Sequence, residues 1–453
     1  MQTKVPAQFQ GNLKDVATLA WPLMIGMLSF TIMDVTDTFM VGQIGKRELA
    51  AVGMATTIIF FINSFFIGFF ESVKILVAQA TGANQSGLAK QAAWQGVFLS
   101  IPCGMIVIGL AFFNHTIFAI FGGSLPLQEM ARDYFSIRVI ASPFWFITLA
   151  IGSYYQGTGN TKLPMFVNVL MCVLNVILCQ VFIFGFGLIK PMGMDGTAYA
   201  TILSDIVGMA ILLFYLIKDA KIPLKWFSDI CRKLFKLGLP VGVRWLLDTG
   251  GWTLVVAMIA RLGENELAAN QIATKIMCLS ILPVYGITET ASILTGQCTG
   301  AQNMQALHRS YWSAIKLALL IMGSFGIIFW TMPTALVSIF QSDPEVIGLA
   351  SQVLMILAIF QLMVAFSMTT AGALNGTGDT RFTMFLSISS TWLFMVPLAY
   401  SFGFILGYGM FGMWIALLLQ ELILAVGTQW RFRSGRWKNH GLVAKQASLE
   451  KTP

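Results

Sequence analysis

Residues 16–41 read VATLAWPLMIGMLSFTIMDVTDTFMV, an apolar run that carries two carboxylates, Asp34 and Asp37. As a helix at ~1.5 Å per residue the run is about 39 Å long, enough to cross the ~30 Å hydrocarbon core of a bilayer with some tilt. Both acids therefore fall inside a membrane span, in its second half. An aspartate there costs about 1 to 3 kcal/mol to insert, and intramembrane acids mark ion or substrate pathways.

The rest of the chain has the same character. Of 453 residues, 57% are hydrophobic and 11% charged, against roughly 25% charged in a soluble globular protein. Uninterrupted apolar runs define twelve spans, near 15–42, 50–80, 90–114, 125–152, 162–186, 193–217, 237–261, 266–298, 308–331, 345–373, 381–404 and 409–430. The breaks between them carry turn signals such as TGANQSG, QGTGNTK and NGTGDT. The fold class expected is an all-α polytopic membrane protein. The first span is too long for a cleavable signal and no small-residue cleavage pattern follows it.

Lys and Arg set the orientation. With both termini in the cytoplasm, eighteen of the 28 basic residues fall inside and six outside (Lys46, Arg47, Arg132, Arg138, Lys190, Arg261), with four in spans. That asymmetry satisfies the positive-inside rule, so the expected location is the inner membrane with both ends cytoplasmic. It also accounts for the net charge of +8 without a nucleic-acid partner. The six cysteines lack CxxC spacing and the three histidines are isolated, which gives no zinc site and no disulfide framework. Nor does the sequence show a phosphate loop, nucleophile triad or cofactor motif, so an enzyme is not expected.

The strongest internal signal is a repeat. Sliding the chain along itself by one constant offset, without a gap, superposes Pro22 on Pro240, Gly45 on Gly263, Glu48-Leu49-Ala50-Ala51 on Glu266-Leu267-Ala268-Ala269, Glu71 on Glu289, and Gln79 with Thr81-Gly82-Ala83 on Gln297 with Thr299-Gly300-Ala301. A slightly different offset pairs Gly157-Thr158-Gly159 with Gly376-Thr377-Gly378. Six spans per half is an even number, so the halves share one topology about an axis along the membrane normal. The expected organisation is a six-helix lobe over 1–217, a basic linker over 218–236, a second six-helix lobe over 237–430 and a basic tail over 431–453. Two such pseudo-symmetric lobes suit alternating access.

Ionisable residues inside spans are the candidates for a coupling group. Arg244 and Asp248 lie four apart, and Glu71 and Lys74 three apart, so each pair shares a helix face and can neutralise itself. Glu71 and Glu289 are repeat equivalents, for which a symmetric structural role stands beside a functional one. Asp205, Lys316 and Glu421 are placed toward the cytoplasmic ends, within reach of water. Asp34 and Asp37 have no cation within a turn, and the repeat gives Trp252 and Val255 at their equivalent positions. A one-sided acid pair in a poorly hydrated span suits loading and unloading of a proton; the same carboxylate suits Na⁺ with amide, hydroxyl and carbonyl oxygens. Asp34 has the alternative of merely wetting the outer end of its helix. Asn175, Thr201 and Asn168 offer polar atoms to complete the site, although a lone intramembrane Asn often serves only as an interhelical hydrogen bond.

The duplicated six-span halves, Leu19-Ala20-Trp21-Pro22, Val35-Thr36-Asp37-Thr38-Phe39-Met40-Val41-Gly42, Glu48-Leu49-Ala50-Ala51-Val52-Gly53, the two GTG turns and Leu237-Gly238-Leu239-Pro240 together resemble the MATE (multidrug and toxic compound extrusion) transporters, of the bacterial DinF-like or NorM-like branch. The resemblance implies two lobes of six helices and export of lipophilic or cationic small molecules in exchange for H⁺ or Na⁺. It implies a coupling site at Asp37 with Asn175 and Thr201; from the buried acid pair Asp34 and Asp37, cation entry is expected to change the bend of the first helix at the hinge residues Pro22 and Gly26. The candidates for a substrate or secondary site are Asp248, which the resemblance matches to a seventh-helix carboxylate, with Arg244, Glu71, Glu289 and Gln271. Two departures stand out. Cys179 occupies a place where DinF-like members carry Asp, and Val364 aligns with the tenth-helix acid that NorM-like members pair with the position of Asp248, which makes the second-lobe cation site look incomplete. The reading favoured is a monomeric, proton-coupled exporter without cofactors. The alternatives are a flippase for lipid-linked precursors and a passive channel.

Overall fold

The computed structural model describes residues 11–121, 124–187, 189–220 and 225–443. Twelve of its helices are long and apolar enough to cross a membrane: α1 (Leu13–Ile44), α2 (Lys46–Gly82), α3 (Ser86–Ala119), α4 (Leu125–Gly157), α5 (Lys162–Phe184), α6 (Asp195–Asp219), α7 (Ser228–Ala260), α8 (Glu264–Gly300), α9 (Met304–Thr331), α10 (Pro344–Thr377), α11 (Thr380–Ile405) and α12 (Gly409–Arg433). Each matches one of the twelve apolar runs. Parts of the linker and of the tail, with Lys221 and residues 444–453, lie outside the described residues.

The largest difference is at α7, which begins at Ser228, within the basic connection, rather than at Leu237 where its apolar run starts. Ile230, Leu234, Leu237 and Val241 are all buried, and their alternating four- and three-residue spacing puts them on one helix face. Arg232, Lys233 and Lys236 occupy the other positions of those turns. The charged residues hide an amphipathic helix from a search for uninterrupted apolar sequence.

The described residues form two compact units, one made of residues 11–24, Ala78–Asn84 and residues 243–443, the other of the described residues within Ile25–Val77 and Gln85–Gly242. The units are not the sequence halves. The break in α1 follows Met24 and the break in α7 follows Gly242, two positions related by the same offset as Pro22 and Pro240, so the exchange obeys the repeat. Its cause is visible in the packing. In the first unit, α8 lies on the start of α1, with Gly286 against Met24 and the Ala20 carbonyl. In the second, α7 lies on α2, with Gly238 against the Phe69 carbonyl. Ala20 and Gly238 are repeat equivalents, so the same kind of crossing is used twice.

Other glycines of the repeat do similar work. Gly157 faces the Lys74 backbone, and Gly376 faces Ser292, the equivalent of Lys74. Within the first unit the ends of α2 and α8 cross reciprocally: a Cβ on Gly82 would overlap the Gln297 carbonyl, and one on Gly300 the Gln79 carbonyl. Gly300→Val is therefore expected to destabilise the protein by the ~1–3 kcal/mol of an overpacked site or more. The comparison is Gly53→Val, where a Cβ meets nothing within 4 Å. Equal melting temperatures of the two purified variants would contradict the close crossing.

Candidate functional site

In the second compact unit, Asp37 on α1 is half-buried and its Oδ1 accepts a hydrogen bond from the Cys179 thiol of α5 at 3.1 Å. The same sulfur lies 3.7 Å from Oδ1 of Asn175, one turn earlier on α5. Asn175 is fully buried and its Nδ2 donates to Thr201 Oγ1 on α6 at 3.2 Å. Thr201 donates in turn to the Thr197 carbonyl at 2.9 Å, and Thr197 Oγ1 is 3.2 Å from the Tyr134 hydroxyl of α4. A continuous polar run thus joins four helices and ends at one carboxylate. Asn175 and Cys179 are four residues apart and so share a face of α5.

Three residues named by the sequence, Asp37, Asn175 and Thr201, meet here. Asn168 does not join them: its Nδ2 would lie 3.1 Å from a Cβ at Gly26, three turns of α1 away from Asp37. Asp34 is exposed, and acts on Asp37 only as a nearby like charge. Cys179, named in the sequence only as a departure from a family pattern, is the hydrogen-bond partner of Asp37. Its four-residue spacing from Asn175 is the signal that could have found it.

Sequence also leaves out the local cation. Arg138 of α4 interacts electrostatically with Asp37, and its Nη1 lies 3.9 Å from Oδ2 of Asp205 on α6. Asp205 is 2% exposed, so the expectation that it reaches water is corrected: it is buried beside an arginine. Arg138 counts with the outer side by its place in the early part of the fourth apolar run. In the structure it belongs to the interior of α4 (Leu125–Gly157), as Asp205 belongs to the interior of α6 (Asp195–Asp219).

The first compact unit holds a second polar cluster. Asp248 of α7 accepts hydrogen bonds from Ser387 Oγ at 2.7 Å and from Thr391 Oγ1 at 3.2 Å, both on α11. Gln420 of α12 donates to Thr391 at 2.9 Å. The next residue, Glu421, accepts from Ser367 of α10 at 2.6 Å and interacts electrostatically with Asp248. Val364 is buried and provides no carboxylate, as the sequence indicates, and the second acid near Asp248 comes instead from α12. Glu421 is half-buried and bonded rather than at a wet helix end. Residues 390–395 wind as π-helix, a widened turn that carries Thr391 toward Asp248. Arg244 acts on Asp248 through space while the two hydroxyls take the hydrogen bonds.

The remaining candidates are dispersed. Gln271 is exposed, Glu71 and Glu289 are half-buried on α2 and α8, and Lys74 is 2% exposed. Pro22 sits inside α1, which stays helical through it. The division of α1 between the two units, at Met24–Ile25, falls between Pro22 and Gly26. Among the described residues no group of three or more His, Cys, Asp or Glu side chains is arranged to hold a metal ion.

The sequence matches the MatE family model over residues 22–181 and again over residues 240–401. It is 26% identical over 445 residues to the probable multidrug resistance protein NorM of Thermotoga maritima, covering 96% of each chain. Identity to the protein of the same description from Pseudomonas putida is 28%, over 93% of this chain and 95% of that one. A crystal structure of MATE in the straight conformation aligns at a TM-score of 0.88 and 26% identity, covering 97% of this chain and 100% of that one. These relatives are transporters, not enzymes. The two family matches begin at the repeat-equivalent prolines Pro22 and Pro240, and the chain belongs to the MatE family as a twelve-span, multi-pass multidrug efflux transporter.

Proposed function

We propose that the protein is a proton-coupled antiporter that exports lipophilic cations from the cytoplasm, with Asp37 as the coupling group, both termini cytoplasmic and the inner membrane as its location. The observation that carries this reading is the 3.1 Å contact between the Cys179 thiol and Asp37 at the end of the Asn175–Thr201 run. A thiol has one hydrogen and here faces two acceptors. With Asp37 ionised, the S–H points to the carboxylate. When Asp37 takes up a proton, its new O–H donates to the sulfur and the S–H turns to Asn175 Oδ1. Proton loading thereby changes how α1 is tied to α5, and the change reaches the Pro22–Gly26 segment, where α1 bends and the substrate is released outward. A hard cation such as Na⁺ favours oxygen ligands, and a thiol at the carboxylate suits it poorly.

The test is flux of ethidium, a flat lipophilic cation, in liposomes containing the purified protein, driven separately by a pH difference or by a Na⁺ difference. Flux driven by pH alone is expected. Flux driven only by Na⁺ would overturn the proton assignment, and flux indifferent to both would overturn antiport. A second reading rests on the Asp248–Glu421 cluster, which holds two acids in the other unit. It is favoured over Asp37 if Asp248→Asn, and not Asp37→Asn, removes the gradient dependence.

A further inference from the structure

We propose that Arg138 is an internal counter-charge shared between Asp205 and Asp37, and that Asp205, by holding it, sets how readily Asp37 takes up the coupling proton. The inference rests on Asp37 being the coupling group. Asp205 lies one turn beyond Thr201 on α6, and the guanidinium of Arg138 lies 3.9 Å from its Oδ2. That separation is too long for a hydrogen bond, and Oδ2 has no hydrogen-bond partner although the residue is 2% exposed. A buried carboxylate with an unsatisfied oxygen is costly to keep. Its counterweight is an arginine that also acts on Asp37. The guanidinium is permanently charged and is therefore shared between two acids and never switched off.

Among the described residues, the titratable and charged groups facing Asp37 come from three helices. Asp34 is its neighbour on α1, Cys172 and Cys179 face it from α5, and Tyr134 and Arg138 from α4. Arg138 is the cation of this set, so its position governs the electrostatic balance. Drawn toward Asp205, it leaves Asp37 easier to protonate; released toward Asp37, it favours the ionised carboxylate. Arg138 and Asp205 are positioning residues in this scheme, since neither binds the proton that is exchanged.

The two single substitutions have opposite signs, which a merely structural pair does not produce. The readout is the pH midpoint at which protons displace ethidium from the purified protein. Arg138→Gln is expected to raise the midpoint, and Asp205→Asn to lower it, each by about one unit, the low end of what a nearby opposite charge does to a carboxylate. Arg138→Lys is expected to restore the wild-type midpoint. Should a single variant fail to fold, the double variant Arg138→Gln/Asp205→Asn removes both buried charges together and is expected to raise the midpoint by less than Arg138→Gln would. Shifts in the same direction, or a double variant with the wild-type midpoint, would overturn the proposal. Asp37→Asn separates this failure from that of the underlying reading: if the midpoint survives in that variant, Asp37 is not the proton acceptor; if it vanishes while the Arg138 and Asp205 variants stay unshifted, only the counter-charge fails.

Discussion

Asp37→Asn is expected to bring pH-driven ethidium flux down to the leak of protein-free liposomes while leaving the protein folded. The amide is nearly isosteric with the carboxylic acid and keeps an oxygen 3.1 Å from the Cys179 thiol, so the tie between α1 and α5 survives. What disappears is the only carboxyl group in the run Asp37–Cys179–Asn175–Thr201. The variant is fixed in a state resembling the loaded one, with no ionised form to return to. Binding of ethidium, measured by fluorescence, is expected to lose its pH dependence. Retained pH-driven flux in this variant would move the coupling group elsewhere, and the Asp248–Glu421 cluster is the next place to look.

Pro22→Ala is the second large effect. Proline lacks the N–H that would bond to the Thr18 carbonyl, and alanine at a helix interior is about 3 kcal/mol more favourable than proline. If transport requires α1 to pass between a regular and a bent shape, restoring that bond stabilises the regular one alone and shifts their ratio by up to ~100-fold, at about 1.4 kcal/mol per factor of ten. The expected outcome is a transport rate lower by one to two orders of magnitude, together with a higher melting temperature. Loss of rate with gain of stability is the signature of a hinge. An unchanged rate would show that Pro22 is a passive packing residue, consistent with its burial.

The twelve spans and the duplication are legible in the sequence because both are written in hydrophobicity and in identical residues at a fixed spacing. The residues alone offer Asn175, Thr201 and Asn168 as polar partners for Asp37, the resemblance narrows them to Asn175 and Thr201, and the run that joins them emerges in the structure. Pairing between helices is harder to read. Arg138 and Asp205 sit on α4 and α6, and Asp248 and Glu421 on α7 and α12, so no local pattern links either pair. Cys179 stands out in the sequence as a departure from a family pattern but not as a partner of Asp37, because a cysteine in an apolar run looks like any small hydrophobe until an acceptor lies opposite its sulfur. The early start of α7 escapes notice because its buried face is interleaved with Lys and Arg.

The exchange of helix segments between the compact units bears on biogenesis. As the chain leaves the ribosome, Gly11, whose carbonyl is bonded by Ser313 Oγ of α9 at 2.7 Å, waits for that partner until the ninth span has been made. The second unit, by contrast, closes once Gly242 has emerged. Insertion of the spans therefore precedes completion of the fold by most of the length of the polypeptide, and a chain stopped after its first six spans would carry an orphaned opening segment.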